Sequence, residues 1–197
     1  MKRLLLILTL LPLLSLCCYA QQRDKIYHPP FIKNQVTLGT NVLGYADFLT
    51  INAEAGISIH RKWTITLQGK FNPFTYNKGK DNQLQNRQAA LACGVRFWPW
   101  HVNSGWFFGS SLQYMRYNSG GVVNADTYEG NLYGLNLNAG YSLMLAKRWN
   151  LDFGIGVMGG WTNYIKYACP KCGRITGEDK KIIVTPNNLL VQIVHIF

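Results

Sequence analysis

The strongest constraint on the fold is a two-residue period in hydrophobicity, which recurs in eight segments along the chain. Successive side chains of a β-strand point to opposite faces, so each segment has one apolar face and one polar face. In the clearest segment, Trp63, Ile65 and Leu67 alternate with threonine and glutamine. No helical period persists over a comparable length. The sequence therefore predicts an all-β fold of eight strands.

The C-terminal segment indicates which solvent the apolar face meets. Leu189, Val191, Ile193 and Phe197 share one parity, and the chain ends on this aromatic residue. A final strand of this kind is typical of bacterial outer-membrane β-barrels, where alternate positions face lipid. The eight segments are also long enough, since a tilted strand crosses the hydrocarbon in about 9–11 residues. We expect Phe197 to act as the C-terminal assembly signal of such a barrel.

The N-terminal residues predict export. Lys2 and Arg3 precede an apolar stretch that ends near Ala20, the pattern of a cleaved secretory signal. This stretch is too short to span a bilayer as a helix, which needs about 20 apolar residues. We therefore expect a signal peptide at 1–20, a periplasmic tail at 21–34 and a barrel domain at 35–197.

The composition supports a lipid-facing surface. Of all residues, 48% are hydrophobic and 15% are charged, whereas about a quarter of a soluble chain is charged. The polar face is rich in Gly, Ser, Thr, Asn and Gln, which suit a narrow, filled interior. The alternative is a secreted soluble barrel of the lipocalin type, which would need a charged outer face. We predict an eight-stranded antiparallel transmembrane up-and-down β-barrel, integral to the bacterial outer membrane.

The charge distribution suggests membrane partners. The formal net charge is +11, yet the basic residues lie between apolar segments, as at Arg61-Lys62 and Lys147-Arg148, rather than in one stripe. Basic rims beside anionic headgroups explain this pattern. The expected partners are lipopolysaccharide and phospholipid, the barrel-assembly machinery and an unidentified extracellular or envelope protein. Nucleic acid is not an expected partner.

The connections between segments alternate in length. Tight turns are predicted around 61–62 and 146–148, and longer polar loops at 73–86, 118–130 and 162–184. Short periplasmic turns and long external loops are the pattern of outer-membrane barrels. The tryptophans expected at an interfacial girdle on the turn side are Trp63, Trp98, Trp100, Trp106 and Trp149.

Several short motifs occur in a fixed order along nearly the whole mature chain. These are the stretches 33–44, 61–63, 71–73, 96–98, 147–151, Cys169-Pro170-Lys171-Cys172 and Ile196-Phe197. In these motifs the chain resembles the uncharacterised Bacteroidetes outer-membrane barrels grouped as domain-of-unknown-function family 3575. It departs at Thr185-Pro186, where Gly-Pro-Thr is expected. The resemblance implies the location and the fold, and no catalytic role.

Four charged residues fall on the inward parity: Glu54, Lys70, Arg96 and Asp152. Charges that face a narrow lumen are costly unless they are paired. Glu54 and Lys70 lie at similar heights on adjacent strands, and Arg96 and Asp152 both lie near the periplasmic end. One interpretation is the lining of a selective pore. The other, favoured because eight strands leave room only for side chains, is a salt-bridged network that fills the barrel.

The cysteines predict a structural role. Cys169 and Cys172 lie in a predicted external loop and would form a local disulfide in an oxidising compartment. A redox motif would have to open a helix, and a zinc site would need about four ligands. Cys93 is expected to face lipid. Acylation of Cys17 or Cys18 is an alternative fate for the N-terminus. We expect no metal and no cofactor.

The predicted function is a non-enzymatic structural or interaction role that presents extracellular loops. A narrow porin-like channel is the first alternative. An enzyme that modifies outer-leaflet lipid is the second, and it would need a base or nucleophile at the outer rim. The rim offers carboxylates, whereas all four histidines are predicted on the periplasmic side: His28, His60, His101 and His195.

Overall fold

The computed structural model describes residues 34–80, 83–121, 126–169 and 173–197. The predicted signal peptide and nearly all of the predicted periplasmic tail lie outside these ranges. The described part contains nine strands and one short helix. Their bounds are β1 Val36–Asn41, α1 Val42–Ala46, β2 Ile51–His60, β3 Trp63–Asn72, β4 Thr75–Tyr76, β5 Leu84–Phe97, β6 Gly105–Gly120, β7 Thr127–Ala146, β8 Trp149–Tyr167 and β9 Ile175–Ile196.

All strand pairs are antiparallel, which confirms the predicted all-β antiparallel class. The sheet order is β3-β2-β1-β9-β8-β7-β6-β5-β4, and β3 also pairs with β5 along ten residues. Eight strands therefore form a ring, to which the two-residue β4 is a small addition. Among the described residues, no helix is long and apolar enough to cross a membrane.

The ring has an apolar outer face and a polar inner face. Within the described residues, nineteen polar or charged side chains are buried, against eight hydrophobic ones. Large apolar side chains point outward instead, and Leu112, Ile155 and Leu189 are each about two-thirds exposed. This arrangement follows directly from the two-residue period, because the polar parity of each strand lies inside the ring.

One end of the ring carries the tight turns and is called the turn end here; the opposite end is called the loop end. The strands reach different heights at the loop end. β1 has 6 residues and β2 has 10, whereas β7, β8 and β9 have 20, 19 and 22. The wall is therefore low at β1, where α1 follows directly, and tall on the other side. The Asn41 side chain caps α1 by accepting from the Leu43 N–H.

The long strands correct two predicted loops. Most of 118–130 and 162–184 is strand, because β6 and β7 continue to Gly120 and from Thr127, and β8 and β9 continue to Tyr167 and from Ile175. The polar residues of these stretches resemble a loop in sequence, but their backbone groups are paired across the extended hairpins. β9 also runs through Thr185-Pro186, but the β8–β9 register shifts by one residue beside Pro186, at the departure from the family motif.

The girdle prediction needs one correction. Trp63, Trp106 and Trp149 are between 41% and 48% exposed on the outer face near the turn end. Trp98, however, is 1% exposed and points into the ring. Its backbone N–H donates to the Lys62 carbonyl, and this contact turns the chain inward after β5.

Candidate functional site

The interior near the turn end holds a bridged set of three charges, called here the Arg96 cluster: Glu54, Arg96 and Asp152. Arg96 Nη2 lies 2.7 Å from Glu54 Oε1, and Arg96 Nη1 lies 3.1 Å from Asp152 Oδ2. Their side chains are 13%, 7% and 2% exposed in the order Glu54, Arg96, Asp152. One guanidinium therefore joins carboxylates from two other strands across the interior.

The strand register brings these side chains together. Glu54 is on β2, Arg96 on β5 and Asp152 on β8, and each occupies the inward parity of its strand. Gln192 of β9 adds a hydrogen bond from Nε2 to Glu54 Oε1 at 3.3 Å. That approach depends on Gly39, because a Cβ atom at this position would collide with the Gln192 amide. The glycine on β1 thus makes room for a fourth strand to reach the cluster.

The Asp152 carboxylate is held by a chain of hydrogen bonds. Ser142 Oγ donates to Asp152 Oδ1 at 2.5 Å, and Asn150 Nδ2 donates to Ser142 Oγ at 3.0 Å. Asn150 Nδ2 also donates to the Asn103 carbonyl at 2.6 Å. Buried charges are tolerated when they are paired and hydrogen-bonded, and this chain of hydrogen bonds adds the Ser142 hydroxyl to Arg96 as a donor to the Asp152 carboxylate.

Two aromatic rings pack against the cluster and close the turn end. The Arg96 guanidinium carbon lies 4.4 Å from the Phe107 ring centroid and 5.7 Å from that of Trp98. The two rings are tilted against each other at 5.2 Å. Trp98 Nε1 donates to Thr64 Oγ1 at 3.1 Å. The Arg96 cluster together with Trp98 and Phe107 is called the plug below. The cavity that remains beside Arg96 and Glu54 has a volume of about 10 Å³, which is the size of one water molecule.

Above the plug, the interior widens into a cavity of about 790 Å³ that is called the cup below. It lies on the loop side of the plug. Its lining mixes apolar and polar side chains. Those that matter for its chemistry are Lys70, Met115, Leu132, Met158, Lys181 and Leu189.

Lys70 belongs to the cup. It lies opposite Asn52 in the β2–β3 register, two positions beyond the Glu54–Gln68 pair, and its side chain lines the cavity. The contacts of Glu54 go to Arg96 and Gln192. Of the four predicted lumen charges, the structure thus joins three in one cluster and places the fourth at a different height. Parity identified all four inward positions, but the pairing depends on the register between strands.

Phe197 and Cys93 lie at the surface. Phe197 is 65% exposed; its N–H donates to the Val36 carbonyl at 3.0 Å, and its ring lies 4.5 Å from that of His195. Cys93 is exposed on β5. Cys169 follows β8, whereas Cys172 lies outside the described residues, so their disulfide stays a prediction. The assembly role of Phe197 stays a prediction as well.

Lys166 and Asp126 form an ion pair at the loop end. Lys166 Nζ lies 2.7 Å from Asp126 Oδ2, and this hydrogen bond raises the pKa of Lys166 above its ordinary value. The Lys166 ammonium also lies 5.8 Å from the Tyr128 ring centroid. This pair joins the start of β7 to the end of β8 in the tall part of the wall.

The sequence pattern did not predict the aromatic part of the plug or the apolar lining of the cup. Phe107, Leu132 and Met158 are at most 2% exposed and point inward, on a parity that is polar elsewhere. The available signal was the imperfect alternation of the segment 106–117, where large side chains occupy both parities.

The comparisons with known proteins agree with this whole-chain architecture. The family described as protein of unknown function (DUF3575) matches residues 6–197. The chain belongs to this family. No curated protein and no solved structure matches the chain. DUF3575 membership covers the ring, the plug and the cup together, so the functional conclusions below rest on the geometry of this chain.

Proposed function

We propose that this DUF3575 protein is an eight-stranded outer-membrane β-barrel with a non-enzymatic structural or interaction role. The observation that carries the proposal is the inverted distribution of polarity, with buried polar side chains inside a ring of exposed apolar ones. In lipid, backbone polar groups must be satisfied within the protein, which a closed ring of strands achieves. In water, an apolar outer surface of this extent would aggregate.

The positions of the aromatic residues support the same proposal. Exposed tryptophans lie near the turn end, and exposed aromatics recur toward the loop end at Tyr114, Tyr133 and Trp161. Tyrosine and tryptophan concentrate at the two water interfaces of a bilayer, where ring and polar atom meet different solvents. The turn end would then face the periplasm and the tall hairpins the exterior.

The plug favours a barrel that does not conduct. The Arg96 guanidinium, its two carboxylate partners and two aromatic rings occupy the section through which ions would have to pass. The same contacts commit Glu54 and Asp152 to structural hydrogen bonds. We therefore place the interaction role at the loop end, in the tall hairpins and the cup, with lipopolysaccharide and phospholipid around the barrel.

Heat-modifiability in purified outer membranes tests the location and the closure together. An intact barrel migrates fast in electrophoresis when unheated and more slowly after boiling. A soluble protein without this shift would contradict the proposal.

Conductance in planar bilayers tests the closed interior. We expect no discrete current steps from the folded protein, and steps that change with substitution of Arg96 would instead support the narrow channel.

A further inference from the structure

The cup departs from the pattern of most of the interior. Many inward positions of the long strands carry small or polar side chains, such as Asn136 and Ser142, and apolar ones such as Phe107 and Leu190 pack together at the plug. At the cup, Met115, Leu132 and Met158 point inward instead. Positions where a sequence violates its own pattern are expected at functional sites. Met115, Leu132 and Met158 are called the apolar band below. We expect this band to contact an apolar group of a ligand.

The band lies between two lysines on one row of cross-strand partners. Lys70 pairs with Ala90, Ala90 with Met115 and Met115 with Leu132. The row continues from Leu132 to Thr162 and from Thr162 to Lys181. Apart from Ala90, all of these side chains line the cup. The cup therefore combines an apolar surface with two cationic groups at its sides.

The cup contains one carboxylate as well. Asp47 lines it, and its two oxygens accept from Asn86 Nδ2 at 3.1 Å and from Gln88 Nε2 at 3.2 Å. The carboxylate is thus held by neutral amides of β5. Two lysines against one aspartate leave the lining of the cup with a positive balance.

The ring wall has a seam at the level of the cup. The β1–β9 ladder ends at Asn41 and Gln192. The Asn41 side chain extends it by one step, donating to the Leu189 carbonyl at 2.9 Å and accepting from the Val191 N–H at 3.1 Å. Beyond this step, β8 is the one strand partner of β9 in the part of the chain that the structure describes.

Apolar side chains line both sides of the seam. Leu43 and Leu49, from α1 and the turn after it, are 40% and 53% exposed, and Leu189 on β9 is 67% exposed. The cup is lined by residues of both sides, including Leu43 and Pro186. Proline has no N–H to offer a neighbouring strand, which suits an open edge. α1 contacts β9 here, so the seam is bordered by a short helix, and apolar side chains run beside it from the outside of the ring to the lining of the cup.

We propose that the cup binds a single amphiphile with an anionic head group and a hydrocarbon chain, entering at the seam. The hydrocarbon chain lies against Met115, which is partly exposed and packs beside the buried Leu132 and Met158, and Lys70 and Lys181 attract the head group. The volume of about 790 Å³ lies within the ~300–1,000 Å³ of ligand sites. This inference rests on the proposed barrel, whose outer face brings the seam into contact with lipid. The ligand is either a free long-chain carboxylate or a lipid of the surrounding leaflet.

Photo-crosslinking of the full-length protein in phospholipid nanodiscs tests the proposal. The probe is palmitate with a diazirine near the end of its chain, and mass spectrometry locates the adduct. We expect adducts at Met115, the residue of the apolar band that is partly exposed to the cup. Excess palmitate should compete, and hexadecanol, which lacks the charge, should compete roughly tenfold less well. Adducts confined to outward residues such as Leu112 would overturn the proposal.

Two variants with matched controls separate cup binding from surface partitioning. Met115→Trp fills the cup and should abolish the specific adduct, while Leu112→Trp on the outer face of β6 should leave it unchanged. Lys181→Gln removes one cation of the cup and should weaken binding roughly tenfold. Lys180→Gln, its neighbour on the opposite face, should stay within about twofold on the same scale. Equal labelling of all four variants would refute the site.

A second arm identifies the source of the ligand. The same diazirine is placed on the acyl chain of a phospholipid that is built into the nanodisc. Labelling of the cup by this lipid assigns a membrane lipid, labelling by added palmitate assigns a free carboxylate, and labelling by neither overturns the proposal. The change in electrophoretic migration on boiling shows independently whether each sample contains a folded barrel. A folded barrel with an unlabelled cup would reject the proposed ligand and leave the proposed barrel standing.

Discussion

Phe107 and Met115 lie on the same inward face of β6, eight residues apart, and their surroundings differ. Phe107 is completely buried, stacked below the Arg96 guanidinium and beside Trp98. Met115 is partly exposed and faces the cup. One strand thus contributes to a packed plug at one end and to an open cavity at the other. The difference teaches that the packed and the open parts of the interior are separated along the axis of the ring.

The largest effect is expected at the centre of the plug. Arg96→Met would leave Glu54 and Asp152 buried without their cation, and breaking a buried ion pair from one side costs about 3–5 kcal/mol. We expect the free energy of unfolding, measured by urea titration in phospholipid vesicles, to fall by this amount.

The matched control is Arg116→Met at the loop end. Arg116 Nη2 lies 3.5 Å from Glu129 Oε1, and the Arg116 side chain is 70% exposed. Exposed pairs contribute about 0–1 kcal/mol, so this variant should unfold close to the wild type. Neutralising all three charges of the Arg96 cluster should recover much of the loss. A loss for Arg96→Met as small as the one expected for Arg116→Met would mean that the plug does not stabilise the ring.

The two β6 residues provide the next comparison. Phe107→Ala should lower the free energy of unfolding by about 3–5 kcal/mol, since it opens a cavity in packed surroundings. Met115→Ala should cost less than about 1 kcal/mol, because the cup already surrounds this side chain and little new cavity forms. Urea titration of both variants checks the difference. Equal losses would show that the cup is packed in the folded protein.

A smaller effect is expected at a glycine that contacts the plug. A Cβ atom at Gly140 would collide with the Phe107 ring and the Phe153 carbonyl, whereas a Cβ atom at Gly159 meets nothing within 4 Å. Gly140→Ala should therefore destabilise by about 1–3 kcal/mol, the usual cost of overpacking. Gly159→Ala should be neutral or stabilising by less than about 1 kcal/mol. Thermal unfolding of the two variants tests this, and an unchanged Gly140 variant would contradict the close packing.

The sequence predicted the faces of the strands more reliably than their ends. Parity alone places Glu54, Arg96 and Asp152 inside, and the cost of unpaired buried charge predicts that they interact. The partners could not be predicted, because one arginine reaches two carboxylates only in the register that the ring adopts. The strand ends at 118–130 and 162–184 were missed because paired polar hairpins have the composition of loops.

The cup was missed for a different physical reason. A periodic pattern assigns each residue to a face, but it does not say how wide the interior is at that height. Leu132 and Met158 face inward at the level of the cup, although each is nearly as buried as Phe107. The same side chains at the level of Phe107 would be part of the plug. Their role therefore depends on the shape of the ring, which only the assembled strands define.

The smallest effect is expected at the loop end, where Lys166 pairs with Asp126. Its raised pKa means that the folded pair holds the proton more tightly than the unfolded chain does. The contribution of the pair is therefore complete below the ordinary lysine pKa and disappears only as the pH rises through the higher, folded value. Because the Lys166 side chain is 37% exposed, solvent screens the pair. Lys166→Gln should leave the urea midpoint unchanged at neutral pH. A shift as large as that of Arg96→Met would mean that the tall hairpins stabilise the ring as strongly as the plug does.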